Sequence, residues 1–165
     1  MKHLVISFVS EDRPGLVELL SNTIKQHQGN WQTSSMHHLS GYFAGVLEVA
    51  VAEQHHQELI DALNAMSAFQ LTIATASSAT ELAAQAVTLE LTANDRPGIV
   101  QDISSAIHKQ GGNLVKLVST QQAAAHTGQT MFTAKAKIEV NQDDIEQMVE
   151  ALESLADDLM VDISR

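Results

Sequence analysis

A chain of 165 residues, 44% hydrophobic but only 4% aromatic, has room for one medium domain or two small ones and should build an aliphatic core. Nine Lys plus Arg against 20 Asp plus Glu leave a net charge of −11, which repels phosphate backbones and argues against direct nucleic-acid binding. Without cysteine there is no disulfide, thiolate metal site or Cys nucleophile, and without a long apolar run no membrane span, so a cytoplasmic protein is expected.

Residues 3–9 alternate and predict a strand with Leu4, Ile6 and Phe8 on one face. Glu11-Asp12-Arg13 is a polar turn, and Pro14 suits the start of a helix, where its missing N–H costs nothing. Leu16, Val17, Leu20 and Ile24 then recur at helical spacing as one buried stripe. Gln28-Gly29-Asn30 ends this helix, with Gly29 expected as its left-handed cap. Residues 31–39 and 43–51 read as two strands around Ser40-Gly41-Tyr42. Residues 53–67 read as a second amphipathic helix carrying Leu59, Ile60, Leu63 and Met66, and Leu71 and Ile73 mark a closing strand. Thr75 to Gln85 is small and polar; it reads as a linker, assigned to 77–85, or as a short helix.

The second half repeats that order. Val87, Leu89 and Leu91 alternate as a half-buried strand. Pro97 opens a helix bearing Ile99, Val100, Ile103 and Ile107, which ends at Gly111-Gly112-Asn113. Strands are expected near 114–120 and 131–140, a helix over about 142–156, and a closing strand from Met160 to Ile163. The two halves also share their signals. Asp12-Arg13-Pro14-Gly15-Leu16-Val17 recurs 83 residues later as Asp95-Arg96-Pro97-Gly98-Ile99-Val100, and the Gly-Asn helix exit recurs at the same offset. Leu59–Leu63 matches Met148–Leu152 at an offset of 89, so six extra residues are expected in the second hairpin, around 121–130. The chain therefore reads as two copies of one domain, over 1–76 and 86–165. Units of this size have marginal cores, so each is expected to lean on its neighbour or on a second chain, as a homo-oligomer.

Strand-helix-strand-strand-helix-strand is the α+β ferredoxin-like arrangement, four antiparallel strands with two helices on one face. The duplicated loop between first strand and first helix could do chemistry. A helix N-terminus offers unpaired N–H groups to a carboxylate. Gly15 and Gly98 would let a ligand approach the backbone, and Asp12 and Asp95 could hold an ammonium. Together these suit the zwitterion of a free amino acid. The same residues also have purely structural uses: Asp as a helix N-cap, Pro in a first turn, Gly at unusual angles. Arg13 and Arg96 could meet a ligand carboxylate, but pairing with a nearby acid is the simpler reading.

Other chemistries find less support. His37-His38 and His55-His56 are poorly placed for one metal, because strand neighbours point to opposite faces, so surface histidines and no metal site are expected. No Gly-x-Ser-x-Gly elbow and no phosphate loop with Lys is present, so neither an enzyme nor a cofactor is expected. Asp143-Asp144 reads as charge at a helix start and Asp157-Asp158 as solvated surface. Trp31 stands where Leu114 stands in the other half and reads as core or interface packing.

The Asp-Arg-Pro-Gly-aliphatic-Val loop, followed by the Gly-Asn helix exit, resembles ACT domains, small regulatory modules that commonly bind amino acids. The resemblance covers about 3–75 and 86–164. It implies a ligand site at Asp12, Arg13, Pro14, Gly15, Leu16 and Asn30, and at Asp95, Arg96, Pro97, Gly98, Ile99 and Asn113, with each Asn facing the ligand from the same or a paired domain. Two ACT domains with no enzyme attached are similar to the glycine cleavage system transcriptional repressor family. That resemblance implies glycine or a similar effector and a LysR-type transcription factor as partner, with regulation by protein–protein contact. A ligand-independent interaction module is the alternative. The sheet face opposite the helices is the expected docking surface.

Overall fold

Leu4, Ile6 and Phe8 point to one side of the first strand and Val5, Ser7 and Val9 to the other, and this alternation decides which side of the first sheet is buried. The computed structural model describes residues 1–76 and 85–164. Two compact units divide the chain, Met1–Glu81 and Leu82–Arg165. The linker assigned to 77–85 lies, except for Gln85, outside the described residues.

The first unit runs β1 (Lys2–Glu11), α1 (Leu16–Gln26), β2 (Asn30–Leu39), β3 (Tyr42–Val51), α2 (Glu53–Asn64) and β4 (Gln70–Ala76). The second runs β5 (Ala86–Asn94), α3 (Ile99–Lys109), β6 (Asn113–Ala123), β7 (Thr130–Glu139), a 3-10 turn (Gln142–Asp144), α4 (Ile145–Glu153) and β8 (Met160–Ser164). Both sheets are antiparallel with the same strand order, β2-β3-β1-β4 and β6-β7-β5-β8. The chain is thus two βαββαβ units of the α+β ferredoxin-like class.

Each sheet buries one face under its two helices. In the first unit Ile6 stands between Leu47 and Ile73 in the sheet, and its face packs with Leu16, Leu20 and Ile24 of α1 and with Leu59 and Leu63 of α2. In the second, Leu89, Leu91, Ala136 and Ile138 pack with Ile103, Ile107, Met148 and Leu152. Each fully buried Leu or Ile side chain contributes about 1.5–3 kcal/mol. The first core is less aliphatic than composition suggested. Phe8 packs edge-on against Phe69 at 5.3 Å between ring centres and lies 5.7 Å from Phe43. Trp31 is partly buried against the same core.

Several local features differ from the sequence reading. Val17 and Val100 lie on the solvent side of their helices, 45% and 41% exposed, so the buried stripe of α1 is narrower than expected. The second helix ends at Asn64, and the last one begins as the 3-10 turn and ends at Glu153. Thr75 and Ala76 belong to β4. At the exit of α1 the left-handed residue is Gln28, with φ of 61°, and not Gly29. Gly29 is needed for space: a Cβ there would lie 2.8 Å from Ile24 Cγ2 and 3.0 Å from Val49 Cγ1. The second unit separates the two roles, with Gly111 left-handed at φ of 76° and Gly112 crowded by Met148 and Ile107.

The strand registers locate the six inserted residues. Leu39 pairs with Tyr42 where Gln122 pairs with Met131, so the insertion lies within 123–130. Gln121, expected in the loop, is paired in β6 opposite Phe132. Both units also carry a bulge at the same place, between Trp31 and Thr33 and between Leu114 and Lys116. Among the described residues no helix is long and apolar enough to cross a membrane.

Candidate functional site

The duplicated loop has nearly the same backbone in both units. Gly15 has φ, ψ of 89°, 4° and Gly98 of 84°, 2°. With proline before it, each glycine occupies the position of a type II turn that disfavours any side chain. In the second unit the turn is closed by Ile99 N–H donating to Arg96 O at 3.3 Å. The helices consequently start at Leu16 and Ile99, later than Pro14 and Pro97 suggested, with the glycines as N-caps. No side chain caps either helix, so Asp12 and Asp95 do not serve as N-caps.

The two aspartates brace the loop against the neighbouring hairpin. Asp12 N–H donates to Gly41 O at 3.0 Å and Asp95 N–H to Thr130 O at 2.8 Å. The Asp12 carboxylate meets His38 Nδ1, and the Asp95 carboxylate accepts from Gln121 Nε2. His38 and Gln121 are counterparts, each 26 residues after its aspartate. That shared spacing is the one sequence signal that could have found this brace. Leu16 and Ile99 turn their side chains into the core, 3% and 7% exposed, and pin the loop from below.

The arginines diverge. Arg96 Nη2 lies 2.7 Å from Asp102 Oδ2, the bland pairing expected for it. Leu19 occupies the place of Asp102 in the first unit, and Arg13 has no ion pair among the described residues. Asn30 and Asn113 are exposed at the starts of β2 and β6. Asn30 stands beside Ala50, whose partner on β1 is His3, whereas the loop leaves β1 after Glu11. At about 3.3 Å per residue these are opposite ends of the sheet. One unit therefore does not bring its own Asn and its own loop together. Asn113 Nδ2 donates to Glu139 Oε2 at 3.1 Å.

A cavity of about 370 Å³ opens at the end of β1, beside the loop and under the α2–β4 turn. Glu11, Arg13 and Tyr42 line it, with the turn residues from Ser67 to Phe69. Ser10, a buried polar side chain, ties that turn to β1 through a 2.6 Å bond from Oγ to Ala68 O. In the second unit Asp158 replaces this tie: its carboxylate accepts from Asn94 N–H at 2.6 Å, so it is not merely solvated surface. A cavity bounded there by Asn94, Arg96 and Leu159 measures only about 10 Å³.

The histidines do not gather. His37 Nε2 lies 3.3 Å from Ser35 Oγ, and His56 Nε2 lies 3.1 Å from Thr75 Oγ1. Among the described residues no three metal-ligating side chains come together.

Comparison with known proteins agrees with this geometry. Residues 2–75 match one ACT-domain family model and residues 83–161 another. No curated protein matches the chain. Among solved structures, an unknown protein from Galdieria sulphuraria is similar at 24% identity and a TM-score of 0.81, over 99% of this chain and 98% of its own. A candidate glycine cleavage system transcriptional repressor is similar at 16% identity and a TM-score of 0.73, over 99% of this chain and 98% of its own. At such identities these likenesses concern the fold, while the two family models span nearly the whole sequence. The chain belongs to the ACT-domain family of regulatory modules and carries two such domains in tandem.

Proposed function

We propose that this protein is an amino-acid-responsive regulator without catalytic activity of its own, acting in the cytoplasm by contact with a partner protein. The observation that carries the reading is the repeated loop. Twice, a Pro-Gly turn delivers a helix N-terminus with no side-chain cap, next to an aspartate fixed against the hairpin. Uncapped N–H groups suit a carboxylate, and the fixed aspartate suits an ammonium. The resemblance of the duplicated loop and Gly-Asn helix exits, in two tandem domains, to the glycine cleavage system transcriptional repressor family makes glycine or a similar amino acid the first effector to try, and a LysR-type factor the first partner. The net charge of −11 favours regulation through a protein over direct contact with DNA. A ligand that prefers one arrangement of the domains, or of a homo-oligomer, would shift the population between active and inactive forms. Isothermal titration of the full chain with the protein amino acids tests the sensing step. Binding of at least one at millimolar levels or tighter is expected, and silence across the panel would remove it.

A second reading has its own support. Asp12 and Asp95 already have partners in His38 and Gln121, as purely structural loops would require. In a ligand-independent interaction module, Gly15→Asn would leave partner binding intact with no ligand response to lose. Asparagine tolerates the left-handed angle, and a Cβ at Gly15 meets nothing within 4 Å, so this variant should fold.

A further inference from the structure

We infer that the two units are not equivalent as binding sites, and that a free α-amino acid binds in the first unit alone, in the cavity at the end of β1, between Arg13 and Glu11. This assignment rests on the amino-acid reading above but narrows it to one unit, and it gives the ligand's charged ends to Arg13 and Glu11 in place of the helix N-terminus and Asp12, which already has His38 as its partner.

Four observations lead there. First, β1 outruns its neighbour: β4 begins at Gln70, opposite Val9, which leaves Ser10 and Glu11 beyond the end of that pairing. The α2–β4 turn lies over this end and is held by Ser10, bordering an open cleft of about 370 Å³, within the size range of small-molecule sites. Second, the cavity carries one positive and one negative side chain, Arg13 and Glu11, with no ion pair to each other or to any other described residue. Two opposite charges that share a cavity without meeting match the two ends of a zwitterion. The guanidinium offers paired N–H donors to an α-carboxylate, and the Glu11 carboxylate accepts from an α-ammonium. Third, the Tyr42 side chain also borders the cavity, 49% exposed, and offers a ring and a hydroxyl to the rest of the ligand. Fourth, the second unit keeps the overhang, with β8 beginning at Met160 opposite Thr92, but has lost the charges, the tyrosine and the space. Arg96 is drawn to Asp102, Asn94 stands in place of Glu11, Met131 in place of Tyr42, and the cavity measures about 10 Å³. Leu19 is the counterpart of Asp102, so the first unit lacks the acid that would pull its arginine aside.

Titration of the full chain and its variants with each protein amino acid and with acetate, the glycine analogue that lacks an ammonium, tests the assignment. Arg13→Gln should weaken amino-acid binding about ten- to a hundredfold, as expected when a charge-assisted contact is lost. Leu19→Asp should weaken it as well, by recreating the second unit's ion pair while leaving Arg13 in place. Arg96→Gln should change nothing. Glu11→Gln should abolish the preference for glycine over acetate. Unchanged thermal midpoints keep folding out of the comparison, since all four positions are at the surface. If Arg96→Gln weakens binding and Arg13→Gln does not, or if neither does, the site assignment is wrong while amino-acid sensing stands. If the unaltered protein binds no amino acid, both fall together.

Discussion

Gln28 holds a backbone angle that its counterpart Gly111 holds without a side chain. A left-handed angle costs an L-residue about 1–2 kcal/mol, because Cβ crowds the following carbonyl. Glycine gives back part of that gain through its greater freedom when unfolded, about 0.5–1 kcal/mol. The bonds that fix the angle, Gly29 N–H to Ile24 O at 2.9 Å and Gln28 N–H to Lys25 O at 3.1 Å, come from the backbone and survive a change of side chain. Gln28→Gly should therefore stabilise the first unit by about 0.5–1 kcal/mol, seen as a higher urea midpoint at unchanged slope. Gly111→Gln should lower the second unit's stability by a similar amount. Gly29 and Gly112 are glycine for a different reason, the lack of room for a Cβ beside Ile24 and Met148. A single Gly at a helix exit does not reveal which reason applies, and Gly29 taken alone suggested the wrong one. The doubled Gly111-Gly112 shows that both exist.

At the level of elements, the period-2 strands and the period-3.6 helices were legible because each has one buried face, and the duplication gave every assignment a second witness. The insertion was legible too, from the change of offset between the helices. Less visible was how β6 continues to Ala123, where a polar run of glutamines pairs in a ladder although nothing in its composition favours a strand. Helix starts were misjudged because Pro14 fits a first helical turn and a type II turn equally well, and only the left-handed Gly15 decides. The candidate site was half legible. The loop announced itself twice, but its brace and its cavity depend on residues distant in sequence, Asp12 with His38 and Ser10 with Ala68. The insertion itself makes a test. Replacing residues 123–130 by Ser-Gly should rebuild in the second unit the hairpin that joins Leu39 to Tyr42 in the first. It removes the bond from Ala124 N–H to Gln129 O, and it shortens a loop whose closure entropy depends only weakly on length. Asp95 N–H would still find a carbonyl, as Asp12 finds that of Gly41. A stability change within about 1 kcal/mol is expected by denaturant titration, near the worth of one exposed hydrogen bond. A loss of several kcal/mol would mean that the longer tip packs against something the shorter one cannot reach.

On the scale of the whole molecule, the buried residues fall into two clusters, and each draws its members from one unit. Such cores should respond separately to damage, and the chain offers matched positions to damage. Leu63 and Leu152 are counterparts on α2 and α4, and both are fully buried. Truncating a leucine in such a place costs about 2–5 kcal/mol. Units of this size have little stability to spare, and a loss of that order should raise the open population of the damaged unit by about 1.5 to 3.5 orders of magnitude. Leu63→Ala should therefore speed amide exchange throughout β1 and β3 and leave β5 and β7 close to their original protection. Leu152→Ala should do the reverse. Trp31, the sole tryptophan, is partly buried against the first core and supplies an independent readout. Its fluorescence transition in denaturant should move to lower concentration for Leu63→Ala and stay in place for Leu152→Ala. Equal acceleration in both units by either substitution would show that the two domains unfold as one cooperative body. A ligand bound in one would then necessarily be felt as stability in the other, because anything that binds only the native state stabilises the whole cooperative unit. Separate responses would instead confine a ligand's stabilisation to the domain that holds it, and regulation would have to travel through a change in how the domains meet a partner.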